Sequence, residues 1–208
     1  MDNPKGYLLV VEDIPDILRL LDATLKFKGY RVVTARNGEE ALEVIEKEHP
    51  ALIITDILMP RMDGFSLVHR LRLDPRTRTI PVIFLSATYV APEDKSFALT
   101  IGVTRFIEKP VDLAAFFPVI DELLAKEQAT IPVLLDELEF YEGYRKRLES
   151  KLKHKNTQIA RDENLLKTLT EDQKISFEVS LRTAHAERRE IQNLLDEVRE
   201  RLEIGKTK

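Results

Sequence analysis

The chain has 208 residues, a formal net charge of −4 and no cysteine. That length suffices for one or two domains with a real core, and the missing cysteine excludes disulfides and thiolate metal sites and fits a reducing cytoplasm. No apolar run reaches the ~18 residues of a membrane span, Met1-Asp2-Asn3-Pro4-Lys5 lacks the charged-then-apolar pattern of a signal peptide, and the charge balance exerts no global pull toward nucleic acid.

Along the chain the texture changes once. Residues 1–126 hold nine of the ten prolines and five of the seven glycines, whereas residues 127–208 carry only Pro132, Gly143 and Gly205. The first part opens with an apolar run at 7–11. An amphipathic pattern over 14–28 follows, with Ile17, Leu18, Leu21 and Leu25 on one face and Gly29 as its stop. A weaker strand pattern spans 30–35. A helix over 39–48 presents Ala41, Leu42 and Ile45 and is ended by His49-Pro50. Apolar runs at 52–55 and 81–85, a weaker one at 105–107, and helical patterns over 65–73, 93–101 and 113–125 complete the series. Five strands alternating with five helices predict an α/β fold, a doubly wound parallel sheet covered on both faces.

Such sheets bind ligands beyond the carboxyl ends of their strands. Those ends carry Glu12 and Asp13 after the first strand, Asp56 after the third, Ser86 after the fourth and Lys109 after the fifth. Three clustered carboxylates repel one another, so a divalent cation stabilises such a group, and Mg²⁺ prefers oxygen ligands. With a metal bound, Asp56 can attack a phosphoryl group and form an acyl phosphate, while an ammonium such as Lys109 neutralises the transferring oxygens. A hydroxyl at Ser86 can donate to a phosphate oxygen. Asp63-Gly64 reads as a turn and helix cap, and Met59 and Met62 as loop packing.

Residues 5–126 resemble the receiver domain of two-component response regulators. The resemblance rests on Val10-Val11-Glu12-Asp13, Asp56-Ile57-Leu58-Met59-Pro60-Arg61-Met62-Asp63-Gly64, Pro81-Val82-Ile83-Phe84-Leu85-Ser86-Ala87 and Glu108-Lys109-Pro110, in that order at successive strand ends. It implies a flavodoxin-like sheet of order 2-1-3-4-5, with Asp56 as the phosphoacceptor. Mg²⁺, or another divalent cation, would be held by Glu12, Asp13, Asp56 and the backbone carbonyl of Leu58. Ser86 would be the hydroxyl that turns toward the phosphate, Lys109 its counter-charge, Phe106 the aromatic switch residue, and Lys109-Pro110 a cis peptide. Ser stands at 86 where Thr is commoner, Phe106 lacks the hydroxyl of the frequent Tyr, and Val103 replaces a smaller residue. A receiver that keeps the fold without being phosphorylated is the alternative.

The second part reads as a long antiparallel helical hairpin. Thr130-Ile131-Pro132 suits a helix start. Leu134, Leu138, Tyr141, Arg145, Leu148, Leu152, Lys155, Ile159, Asp162, Leu166 and Leu169 keep strict 4-3 spacing, a heptad seam with polar interruptions at Arg145, Lys155 and Asp162. Thr170-Glu171-Asp172-Gln173 reads as a capping box. The second seam is Phe177, Leu181, Ala184, Arg188, Ile191, Leu195, Val198 and Leu202. Tyr141, Tyr144, Leu165 and Leu194 widen the apolar surface, which predicts a homodimer, a symmetric four-helix assembly of two hairpins. Domain limits of 1–126 for the receiver, 127–131 for a linker and 132–208 for the hairpin follow.

From 145 to 161 the chain is basic, with Arg145, Lys146, Arg147, Lys151, Lys153, Lys155 and Arg161 against Glu149. Without a recognition module or interleaved aromatics, this reads as a solvated face paired with acids such as Glu187, Glu190 and Glu197 on the partner helix. No cyclase, phosphodiesterase or kinase motif marks the chain as an enzyme. The expected function is a cytoplasmic response regulator. A histidine kinase or phosphotransfer protein phosphorylates it, and its output is contact with a downstream protein; neither nucleic acid nor membrane is an expected partner. Two rivals are a DNA-binding regulator using the basic stretch and a phosphorelay intermediate using His154 or His185.

Overall fold

The computed structural model describes residues 6–86, 92–125, 135–168 and 171–206. The chain divides into two compact units between Leu135 and Asp136. The first alternates β1 (Leu8–Val11), α1 (Pro15–Phe27), β2 (Val32–Ala35), α2 (Gly38–Lys47), β3 (Leu52–Asp56), α3 (Gly64–Leu73), β4 (Val82–Ser86), α4 (Pro92–Thr100), β5 (Arg105–Glu108) and α5 (Leu113–Ala125). All strand pairs are parallel, in the order β2-β1-β3-β4-β5. This is the sheet that the strand–helix alternation and the family resemblance imply.

Alternation of side chains along each strand builds two apolar layers. Leu8 and Val10, Leu52 and Ile54, and Ile83 and Leu85 point to one face, where Leu21 and Leu25 of α1 and Phe116, Ile120 and Leu123 of α5 close over them. Leu9, Ile53, Val82 and Phe84 are buried on the opposite face, and Phe65 of α3 meets Phe84 edge-on at 5.2 Å. Burying a leucine- or phenylalanine-sized side chain is worth ~2 kcal/mol, so strands buried on both faces hold their ends in place.

Local chemistry sets the element limits. Gly29 takes φ +93° after α1, as its stop signal requires, and Tyr30 N donates to Leu25 O. β2 starts at Val32, two residues later than the pattern predicts, although Arg31 O still accepts from Leu8 N at 2.8 Å. Asn37 caps α2 by accepting from Glu40 N at 3.0 Å, and Asp63 caps α3 by accepting from Ser66 N at 2.9 Å.

The second unit is α6 (Glu137–Leu166) and α7 (Glu171–Lys206), which pack together. At 1.5 Å per residue they are about 45 and 54 Å long. The cross-helix pairs Glu149–Arg199, Lys155–Glu187 and Glu163–His185 run in reverse order, so the helices are antiparallel. The seam residues Tyr141, Leu148, Ile159, Ala184, Ile191, Leu195, Val198 and Leu202 are buried.

Several details depart from the heptad reading. Leu138 is 44% exposed. Arg188 is exposed too, although it holds a seam position. Phe140, Tyr144 and Leu194 are buried within the single chain, so Tyr144 and Leu194 do not widen an exposed apolar surface; Leu165 does, at 46% exposure. Among the described residues α6 opens at Asp136, whose carboxylate accepts from Glu139 N at 2.7 Å. Thr130-Ile131-Pro132, Leu134, Leu169 and Thr170 lie outside the described residues. Among the described residues, no helix is long and apolar enough to cross a membrane.

The start of α3 is packed against β3. A Cβ on Gly64 would lie 2.4 Å from the Asp56 carbonyl oxygen, and Gly64 N donates to Ile57 O at 2.8 Å. The obstacle is backbone and cannot rotate away. Gly64→Ala is expected to destabilise the first unit by about 2 kcal/mol or more, read as a lowered urea midpoint with an unchanged slope; an unchanged midpoint would show the contact to be soft.

Candidate functional site

The strands end together, and their register brings the polar residues to one edge. Val11 lies beside Thr55, Asp56 beside Leu85 and Ser86 beside Glu108. One residue past β1, Glu12 is fully buried; Asp13 and Asp56 are half-buried. Each of these three acids offers a carboxylate oxygen, and the three oxygens lie within 4.8 Å of one another.

Lys109 makes this cluster tenable. Its Nζ lies 2.6 Å from Glu12 Oε2 and 3.3 Å from Asp56 Oδ1. Its own backbone N donates to Ser86 O at 2.6 Å, and the Lys109-Pro110 peptide is cis, as the resemblance implied. Glu12 also accepts from Ile14 N at 3.3 Å. One ammonium thus serves two carboxylates, with the shorter contact to the fully buried one.

The electrostatic consequence falls on Asp56. Burial raises its pKa to about 6; Lys109 opposes the rise and Glu12 adds to it. Burial also raises the pKa of Asp13. Burial pulls Lys109 down, but Asp56 and Glu12 together outweigh it and the net shift is upward. That Lys109 gains from the pair while Asp56 is still raised is consistent: the ammonium is nearer Glu12, so Asp56 is the under-compensated carboxylate. Three carboxylates against one ammonium leave two negative charges when all are ionised. An all-oxygen donor set with that deficit fits a divalent cation such as Mg²⁺.

The remaining predicted residues surround this centre. Ser86 is buried at the end of β4. Leu58 sits two residues past Asp56, half-buried in the loop, with Met59 and Met62 buried beside it. Phe106 is half-buried on β5, 6.2 Å from the Phe84 ring. Glu12, Asp13, Asp56 and Lys109 are therefore in direct proximity, Ser86 is joined to them through the Lys109 backbone, and Phe106 stands one strand away.

Some neighbours were not singled out from sequence. Thr55 Oγ1 donates to Asp56 O at 2.8 Å from a fully buried position; a hydroxyl inside the run Leu52-Ile53-Ile54-Thr55 was the available signal. Lys95 lies 2.8 Å from Glu108 and 5.9 Å from the Phe106 ring centroid, so a cation sits beside Phe106. Buried Arg72 donates to Gly102 O through Nε and Nη2, at 3.3 and 2.7 Å, tying α3 to the corner between α4 and β5. Burial lowers its pKa to about 10.

Comparison with known proteins places this geometry. The sequence pattern of the family described as response regulator receiver domain matches residues 8–121. An uncharacterized 14.6 kDa protein in the sodA1 3′ region of Leptolyngbya boryana is 44% identical over 105 residues, which are 50% of this chain and 79% of that protein. The probable transcriptional regulator ycf27 of Pyropia yezoensis is 40% identical over 110 residues, covering 53% of this chain and 44% of ycf27. This chain therefore spans less than half the length of ycf27. The crystal structure of the signal receiver domain of a signal transduction histidine kinase from Syntrophus aciditrophicus aligns with a TM-score of 0.55 and 37% identity, covering 63% of this chain and 98% of that one.

The raised pKa of Asp56 has a sign that can be checked. A carboxyl whose folded pKa exceeds its unfolded value of 3.8 contributes stability at low pH that is lost as pH rises through about 6. In metal-free buffer, Asp56→Asn is expected to be more stable than the parent at pH 8 by about 2 kcal/mol, after discounting for the side chain's residual exposure. Urea titrations across the range would show the gap closing as pH falls below about 6; a gap that is flat with pH would contradict the assignment.

Proposed function

Because the chain belongs to the response regulator receiver family, we propose that it is a response regulator whose Asp56 accepts a phosphoryl group from a histidine kinase or phosphotransfer protein. The observation that supports this best is the Asp56 carboxylate held 3.3 Å from the Lys109 ammonium, with Glu12 and Asp13 oxygens within 4.8 Å. An Asp56 oxygen attacks phosphorus, the bond from phosphorus to the donor imidazole breaks, and an acyl phosphate forms as the imidazole regains its proton.

Glu12, Asp13, Asp56 and the Leu58 carbonyl are the proposed holders of Mg²⁺, which supplies positive charge opposite the equatorial oxygens when bound. Lys109 supplies the second positive charge. Its release from Glu12 toward the phosphoryl group is a local rearrangement, because both partners lie within one side-chain reach. Ser86 donates its hydroxyl to a phosphoryl oxygen, and Phe106 repacks toward the space the serine vacates. Lys95 and Glu108 border Phe106, so the surface of α4, β5 and α5 carries the change.

The receiver comprises 1–126, a linker 127–131, and the hairpin 132–208 is the output module. The proposed output is protein–protein interaction in the cytoplasm rather than a second chemical activity. Leu165, Val179 and Ile204, exposed at 46, 60 and 61%, support association of two hairpins as a homodimer.

Incubation with acetyl phosphate or beryllofluoride and Mg²⁺ is expected to give an adduct in the parent protein and none in Asp56→Asn or after chelation, read by intact mass or by fluorine resonance. An adduct that persists in the asparagine variant would falsify the site. Light scattering on the same samples is expected to report a mass that differs between the modified and unmodified protein.

A further inference from the structure

The second heptad seam is interrupted by a charged residue. Position 188 belongs to the apolar series between Ala184 and Ile191, yet it holds arginine. Burying a guanidinium without a partner is strongly unfavourable, and Arg188 is exposed instead. Where its side chain leaves the interface, the hairpin does not close. A cleft of about 140 Å³ remains, lined by Leu152 and Asn156 of α6 and by Arg188, Arg189, Gln192 and Asn193 of α7.

The chemistry of that cleft is distinctive. Two guanidiniums and three carboxamides surround one aliphatic side chain. No ion pair of Arg188 or Arg189 occurs among the described residues, whereas the acids flanking the cleft are already engaged. Glu149 pairs with Arg199 at 3.2 Å, Glu163 with His185 at 3.3 Å and Glu187 with Lys155 at 2.6 Å. Gln192 donates to Asp196 at 2.9 Å, which leaves its carbonyl as an acceptor. On the outward side of α6 the exposed Lys146, Lys153 and Arg161 extend the same sign of charge.

We propose that this cleft is a docking site for an acidic segment of a partner protein, with a carboxylate seated on Arg188 and Arg189. Arginine forks match a carboxylate bidentately. The carboxamides both donate and accept, which suits the peptide groups beside an acidic side chain better than the acceptor-only oxygens of a phosphate chain. The positive tract is also bounded. Acids Glu137, Glu139 and Glu142 of α6 and Glu200 and Glu203 of α7 lie toward the open end of the antiparallel pair, and Asp162 and Glu163 of α6 with Glu178 of α7 lie toward its turn, so a long polyanion lying along the hairpin meets repulsion at both ends. A short acidic segment fits between them. The site does not depend on phosphorylation of Asp56, so its failure leaves the reading of the receiver standing.

The test uses the full chain and a fluorescein-labelled oligoglutamate peptide, followed by anisotropy at low salt. Saturable binding is expected, weakened about tenfold in Arg189→Gln and in Arg188→Leu. Arg188→Leu completes the apolar seam, so its thermal midpoint by circular dichroism is expected to rise; lost binding then cannot come from unfolding. Arg189→Gln, on the surface, is the second variant. The proposal is overturned by absence of saturable binding, by undiminished binding in both arginine variants, or by an equal loss in a Lys146→Ser, Lys153→Ser double variant, which would mean diffuse attraction. Tighter binding of a duplex DNA of equal charge would overturn it in favour of nucleic acid.

Discussion

A single ammonium between one buried and one half-buried carboxylate organises the first unit. Lys109 reaches Glu12 at 2.6 Å and Asp56 at 3.3 Å, and without it two negative charges would stand together in a site that water barely enters. Removing one partner of a buried pair costs about 3–5 kcal/mol, far more than an exposed pair contributes. The arrangement needs strands that are parallel, buried on both faces and ended at one level. The apolar layers around Leu8, Val10, Ile54 and Leu85 supply that. The polar edge and the apolar core are therefore one construction, with the core fixing positions that the charges alone would not hold.

The same imbalance sets the electrostatics of the site. Asp56 is left under-compensated because Lys109 sits closer to Glu12, and burial lifts its pKa to about 6. A group that gains so much from added positive charge is poised to respond to a cation. Ionisation of Asp56 and the attraction of the site for a cation therefore draw on one shared electrostatic deficit.

Much of this was legible in the chain. Each acid, Ser86 and Lys109 closes an apolar run, and run ends are the most reliable marks of where a parallel sheet presents side chains. What was not legible depends on tertiary contact. Arg72 looks like an ordinary polar residue until its acceptor, the Gly102 carbonyl, comes near from thirty residues along the chain. In the hairpin, strict 4-3 spacing identified Leu148, Ile159, Ile191 and Leu195, but it could not distinguish two kinds of polar seam residue. Lys155 pairs with Glu187 and stays half-buried; Arg188 has no ion pair among the described residues and is exposed. Periodicity also missed Phe140 and Tyr144, because bulky rings reach beyond the positions a narrow stripe assigns.

The loop after Asp56 is pinned at both ends. Gly64 lies against the Asp56 carbonyl, and Gly38 N donates to Met62 O at 2.9 Å, where a Cβ on Gly38 would come within 2.6 Å of Met62 Cγ. Positions 38 and 62 are therefore one steric unit divided between two distant stretches of chain. A side chain at 38 becomes tolerable only once the residue at 62 has shrunk and its backbone has shifted. Among descendants of this sequence, position 38 is constrained to stay glycine for as long as position 62 and its backbone keep their place, although neither touches the chemistry.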